Sequence, residues 1–153
     1  ILNTTHAEIK KKKNDILQKL QIKGVALKTM HATLIGYKYI ENFDQLRRGQ
    51  YIRWISLKRP EKLSLTNGAH ICNVNVNYTQ DGGSAADSNK DEDEDEDDED
   101  NEVERVNEDV RIHCKVIRNG AVSFFNLNFD ENIIFQKITE QEWVILDAVD
   151  YLK

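Results

Sequence analysis

Asp91, Glu92, Asp93, Glu94, Asp95, Glu96, Asp97, Asp98, Glu99 and Asp100 form an unbroken run of carboxylates inside a chain of 153 residues. No compact fold can take such a run inside. Neighbouring like charges repel, and the run has no apolar area whose burial could offset the cost of ordering it. The expectation is a long disordered acidic insertion over 80–108, flanked by two pieces that must fold together. Residues 87–109 hold 15 acidic and 2 basic side chains, a formal −13. The whole chain carries −6, so the remainder, with 19 basic and 12 acidic side chains, stands at +7. That excess sits early: residues 1–62 hold 14 basic against 5 acidic side chains, or +9. An anionic segment on a cationic body is an electrostatic device, aimed at basic partners or at the body itself.

Without the insertion roughly 124 residues remain, enough for one domain with its own core. The organisation expected is a single domain over 1–153, with a helix in 1–24 and a β-rich core shared between 25–79 and 109–153. Thr5 and Glu8 stand at capping-box spacing, and Ile9, Ile16, Leu17 and Leu20 repeat at helical intervals. Gly24 is the expected stop of this helix. Lys10 to Lys13 cover every direction around one turn, so part of that run faces solvent or an anion. From Thr33 to Ile40 alternation favours a strand kinked at Gly36, and residues 24–31 are ambiguous. Asn42 caps a single helical turn. Gln50–Leu57 reads as a strand ended by Pro60, and Asn67-Gly68 as a turn.

Ala69–Tyr78 alternates Cys72, Val74, Val76 and Tyr78 with Asn73, Asn75 and Asn77, the pattern of a half-buried antiparallel strand. Beyond the insertion Val110, Ile112, Cys114 and Val116 repeat that pattern. Asn119-Gly120 then predicts a tight hairpin into a strand with Phe125, Leu127 and Phe129 inward. Ile133–Ile138 suggests a short last strand. Thr139 and Glu142 open a C-terminal helix with Ile145, Leu146, Val149 and Leu152 on its buried face and Trp143 at the margin. The fold class is α+β: a curled antiparallel sheet or small barrel of about five to six strands, with a helix at each end.

Arg47, Arg48, Tyr51, Arg53, Lys58, Arg59 and Lys62, with Trp54 among them, combine cations with rings, as nucleic-acid surfaces do. The competing reading makes Ile52 and Trp54 core residues, with Arg53 laying its stem along apolar surface. Ser84 and Ser88 each precede an acid by three residues, a context for acid-directed phosphorylation. His70, Cys72 and Cys114 lack the spacing of a zinc site, and the two cysteines read as core residues of a reducing, cytoplasmic or nuclear setting. Asp130 and Glu131 read as turn residues. No phosphate-binding loop, nucleophile elbow or metalloprotease helix is present, so neither catalysis nor a cofactor is expected. No apolar stretch reaches the length of a membrane span. The N-terminal stretch lacks the apolar core of a secretory signal, and its Ile start leaves room for preceding residues.

Gly49-Gln50-Tyr51-Ile52-Arg53-Trp54-Ile55, Leu65-Thr66-Asn67-Gly68 and the stretch from Ile134 to Glu142 resemble a pattern in small uncharacterised proteins of large (nucleocytoplasmic) DNA viruses. The resemblance spans roughly 46–152 outside the acidic run, and it implies a virion or virus-factory setting without a particular reaction. The resulting expectation is a non-enzymatic interaction module, structural or assembly-related, whose residues 91–100 meet basic proteins or a second copy. The alternative is a nucleic-acid- or histone-associated factor that uses the surface around 47–62, with the acidic run as modulator.

Overall fold

The computed structural model describes residues 5–80 and 106–152, with side chains described for 5–77 and 109–152. The acidic run, Ser84 and Ser88 lie outside the described residues. Three helices, α1 (His6–Lys19), α2 (Gly24–Thr33) and α3 (Glu140–Leu152), accompany six strands. The strands are β1 (Tyr37–Tyr39), β2 (Tyr51–Ser56), β3 (Ala69–Gln80), β4 (Val106–Arg118), β5 (Ala121–Asn128) and β6 (Asn132–Lys137). They form one antiparallel sheet in the order β1-β6-β2-β3-β4-β5, curled but not closed.

Thr5 caps α1 as its spacing predicts, accepting from the Glu8 N–H at 3.2 Å. The helix does not run on to Gly24. It ends at Lys19, and Gln21 takes a positive φ of 62°. Gln21 N donates to Gln18 O and Ile22 N to Leu17 O, a pair of bonds that satisfies the last carbonyls of the helix. Leu17 and Ile22 then meet in the same core cluster. Packing therefore holds a non-glycine residue where glycine was expected.

The strand expected from Thr33 is corrected as well. Residues 24–33 form α2, and only Tyr37–Tyr39 pairs as β1. The Thr29 and Thr33 hydroxyls donate back to Val25 O and Thr29 O, each at 2.9 Å, which accommodates β-branched side chains inside a helix. Leu27, Met30 and Leu34, spaced for one helical face, carry the packing.

β6 is not an edge. It pairs with β1 through Tyr37↔Lys137 to Tyr39↔Phe135, and with β2 through Ile52↔Gln136 to Ser56↔Asn132. Ile134, Phe135 and Gln136 are consecutive and all buried, as both faces of a central strand must be. Phe135 joins the cluster of Leu17, Met30, Leu34 and Ile55 beneath α1 and α2. Ile134 faces the other way, into the hollow of the curl, with Ile52, Ile71, Ile112 and Cys114. Across that hollow Trp54 meets Phe125 at 5.5 Å between ring centroids, and Phe43 meets Phe129 at 6.3 Å. Gln136 is the buried polar member of β6. Its Oε1 accepts from Arg47 N at 3.0 Å and its Nε2 donates to Gln45 O at 3.4 Å.

The β3–β4 pair shifts register between Ile71 and Asn73, leaving Cys72 as an extra residue. This bulge resets the alternation: Ala69 and Ile71 are buried before it, and Val74 faces the core after it. Asn119 (φ 51°) and Gly120 (φ 77°) make the expected tight turn into β5. Gly68 has no room for a side chain, because a Cβ there would lie 2.6 Å from Ile52 O.

α3 covers an end of the sheet, against α1. Leu146 is buried there with Ile9 and Ile138, and Trp143 packs on them. The expected burial of Ile145 and Leu152 is corrected: both are exposed, Leu152 at 83%. Trp143 carries the apolar contact instead, packing on Ile9, Ile138 and Leu146.

Candidate functional site

The basic and aromatic residues of 47–62 do not form one surface. Alternation on β2 turns Tyr51, Arg53 and Ile55 toward the helices, and Ile52 and Trp54 toward the hollow of the curl. Arg53 lies half-buried over the Tyr37 ring, donating to Tyr37 Oη at 3.3 Å and to Thr66 O at 3.1 Å. Two of its donors are thus engaged inside the fold, close to the packing reading of the sequence. Tyr51 donates its hydroxyl to Asn67 O. Arg48 Nε donates to Cys72 O at 3.1 Å, which fastens the bulge, and Arg47 donates to Leu46 O and Asp44 O.

Lys58, Arg59 and Lys62 are different. All three are exposed and surround one depression of about 350 Å³ with Ser56 and Ser64. Lys58 reaches Glu131 at 3.2 Å, both side chains being open to water, so that pair contributes little. Glu131 and Asp130 sit in a single 3₁₀ turn, whose Asn128 cap accepts from Asp130 N.

Strand pairing brings Cys72 near Cys114, the partner of Ile71, and both thiols are free. Burial, with a smaller contribution from Cys72, pushes the Cys114 thiol up to about 12. Cys114 is therefore neither a nucleophile nor a metal-ready thiolate near neutral pH. His70 packs edge-on to Tyr51, and His113 accepts from Asn75 Nδ2 at 2.6 Å on the outer face. Among the described residues no group of three or more His, Cys, Asp or Glu side chains is placed to hold a metal ion.

A groove of about 790 Å³ lies elsewhere, between α1, the α2–β1 turn and the start of α3. Ile9, Gly36, Ile138 and Trp143 line its apolar part. His6 stacks on Trp143 at 5.0 Å and is hydrogen-bonded to Asp147 at 2.8 Å. At the other end Lys13 Nζ donates to Leu34 O at 2.9 Å, and His31 is hydrogen-bonded to Asn14 at 3.2 Å. Burial first, and then Lys10, hold the Lys13 ammonium below the ordinary lysine range. No local sequence pattern outlines this groove, whose walls come from separated segments. The lysine run in α1 was its one legible sign, since a turn charged on every side must leave some cations over whatever the helix packs on.

Comparison with known protein families, characterised proteins and solved structures finds no match. The residues themselves must carry the functional reading. Among the described residues no helix is long and apolar enough to cross a membrane.

Proposed function

We propose that this chain is a non-catalytic interaction module whose acidic segment engages basic partners. One observation supports the reading above the others. β3 and β4 stay paired from His70↔Lys115 out to Gln80↔Val106. β2 joins β3 only at Ala69 and His70, and β5 joins β4 only from Arg111 onward. The outer part of this ribbon therefore has no third strand among the described residues, and the chain leaves and re-enters it at adjacent positions. Carboxylates carried at such a ribbon's end could meet a broad cationic surface without the body colliding with it. Screening acts over about 10 Å in ordinary salt, so the contact would be salt-sensitive. The resemblance of 49–55, 65–68 and 134–142 to small viral proteins fits an assembly setting for such a module.

The test replaces the carboxylates of 91–100 by Asn and Gln and measures capture of core histones at two salt concentrations. The expected result is at least a tenfold loss of affinity at low salt, with thermal stability unchanged. Equal affinity of the two proteins would remove the proposal.

A second reading rests on Lys58, Arg59 and Lys62 around one depression: a nucleic-acid-associated surface with which the acidic segment competes. The same neutralised protein decides it. Tighter binding of duplex DNA than the parent, with a steep salt dependence, would favour this reading.

A further inference from the structure

We propose that the groove between α1, the α2–β1 turn and α3 binds an anionic amphiphile, an apolar chain that ends in a carboxylate. Its two ends differ in chemistry along one helix face. His6, Ile9, Lys10 and Lys13 follow one another at helical spacing on α1 and all line the groove. At one end the Trp143 ring lies over buried Ile9 and Ile138, beside a His6 that is already paired with Asp147. The Lys13 end is polar and cationic, with Asn14 and His31 beside it. Ile35, 76% exposed, stands on the rim with nothing covering it.

Charge selects the occupant. Among the described residues no carboxylate lies within ion-pair distance of Lys10 or Lys13. Lys13 is drawn partly out of water toward the Leu34 carbonyl and faces a second ammonium rather than an acid. An anion at that point would relieve both the lost hydration and the repulsion. By contrast the His6 end is already supplied, with Asp147 at 2.8 Å and Asp150 at 3.6 Å. A head group is thus drawn to Lys13, and the chain would run back over Ile9 and Ile138 toward Trp143. The seven-residue step from His6 to Lys13 spans roughly 10 Å of helix, the scale of a medium-length acyl chain. The volume of about 790 Å³ falls within the range of small-molecule pockets. This inference does not depend on the acidic segment.

The experiment titrates the full chain with decanoate and follows backbone amides and the tryptophan indoles by heteronuclear NMR. Saturable binding in the ~0.1–1 mM range is expected for a ligand of this size, with shifts at Ala32, Gly36 and the Trp143 indole. Decanol should bind at least fivefold more weakly. Lys13→Gln should weaken decanoate about tenfold, as loss of a charge-assisted contact does, while leaving decanol unaffected. Lys28→Gln, on α2 outside the groove, should change neither. Should Lys13→Gln fold poorly, Lys10→Gln and the shift map of the parent protein still decide the matter. Equal affinity for decanol, shifts confined to the β4–β5 surface, or binding of an acidic peptide without decanoate would each overturn the proposal.

Discussion

Phe135→Ala is expected to lose about 3–5 kcal/mol of unfolding free energy, the range for truncating a fully buried aromatic. Phe135 has no exposed surface and sits in the strand that joins β1 to β2. Its ring lies 5.9 Å from that of Tyr39 and shares a cluster with Leu17, Met30, Leu34 and Ile55. Truncation opens a void that cannot collapse easily, because the backbone on both sides is tied into ladders. Urea unfolding monitored by circular dichroism would measure the loss, and the melting temperature should fall by roughly 10 °C for a domain of this size. Phe124→Ala is the matched control: Phe124 is 72% exposed on β5, and its truncation should change stability by less than about 0.5 kcal/mol. A small effect at Phe135 would mean that β6 is not central to the sheet.

Glu142→Ala is expected to release α3 at a cost of about 3 kcal/mol or more, because it strands a half-buried cation and removes a cap at once. Glu142 Oε1 accepts from Thr139 N and from the Thr139 hydroxyl, each at 3.3 Å, and Glu142 N donates to Thr139 Oγ1 at 3.2 Å. Its other carboxylate oxygen pairs with Lys38 of β1, and both side chains are largely shielded from water. Only Leu146 of α3 is buried, so the loss should appear first as local opening rather than global unfolding. Amide exchange across 140–152 should accelerate by about a hundredfold, the equivalent of that free energy. Glu142→Gln, which keeps the hydrogen-bonding shape and loses the charge, should fall between the two. Unchanged exchange in the alanine protein would show that α3 is held by Leu146 and Trp143 alone.

The parts of the fold legible in the sequence are those that local chemistry decides. The Thr5 and Thr139 caps, the Asn119-Gly120 turn, and the alternation of Val110, Ile112 and Cys114 all follow from neighbours within a few residues. Tertiary contacts overrode local signals elsewhere. Gln21 ends α1 because Ile22 is pulled onto Leu17, an outcome that no glycine announces. Thr29 and Thr33 look like strand residues until their hydroxyls bond back along α2. The bulge at Cys72 reverses the apparent phase of β3, so Ile71 rather than Cys72 leads the buried face. Among candidate site residues, alternation along β2 is enough to put Arg53 and Trp54 on opposite faces. It could not show that Tyr37 would lie beneath the guanidinium, because that contact depends on β6 coming between β1 and β2. The groove was hidden for the same reason, since its walls come from three separated segments. Residues 91–100 lie outside the described residues.

The position of β6 has a consequence for how the chain acquires its shape. A nascent chain that has emerged only as far as β3 owns β1 and β2 but lacks the strand that belongs between them. Two rows of backbone donors and acceptors must wait until Lys137 has been synthesised, more than fifty residues beyond Gln80. Such late, distant closure makes for slow folding. Refolding of the full chain should be limited by β6 insertion, and a chain truncated after Gln80 should give no cooperative unfolding transition.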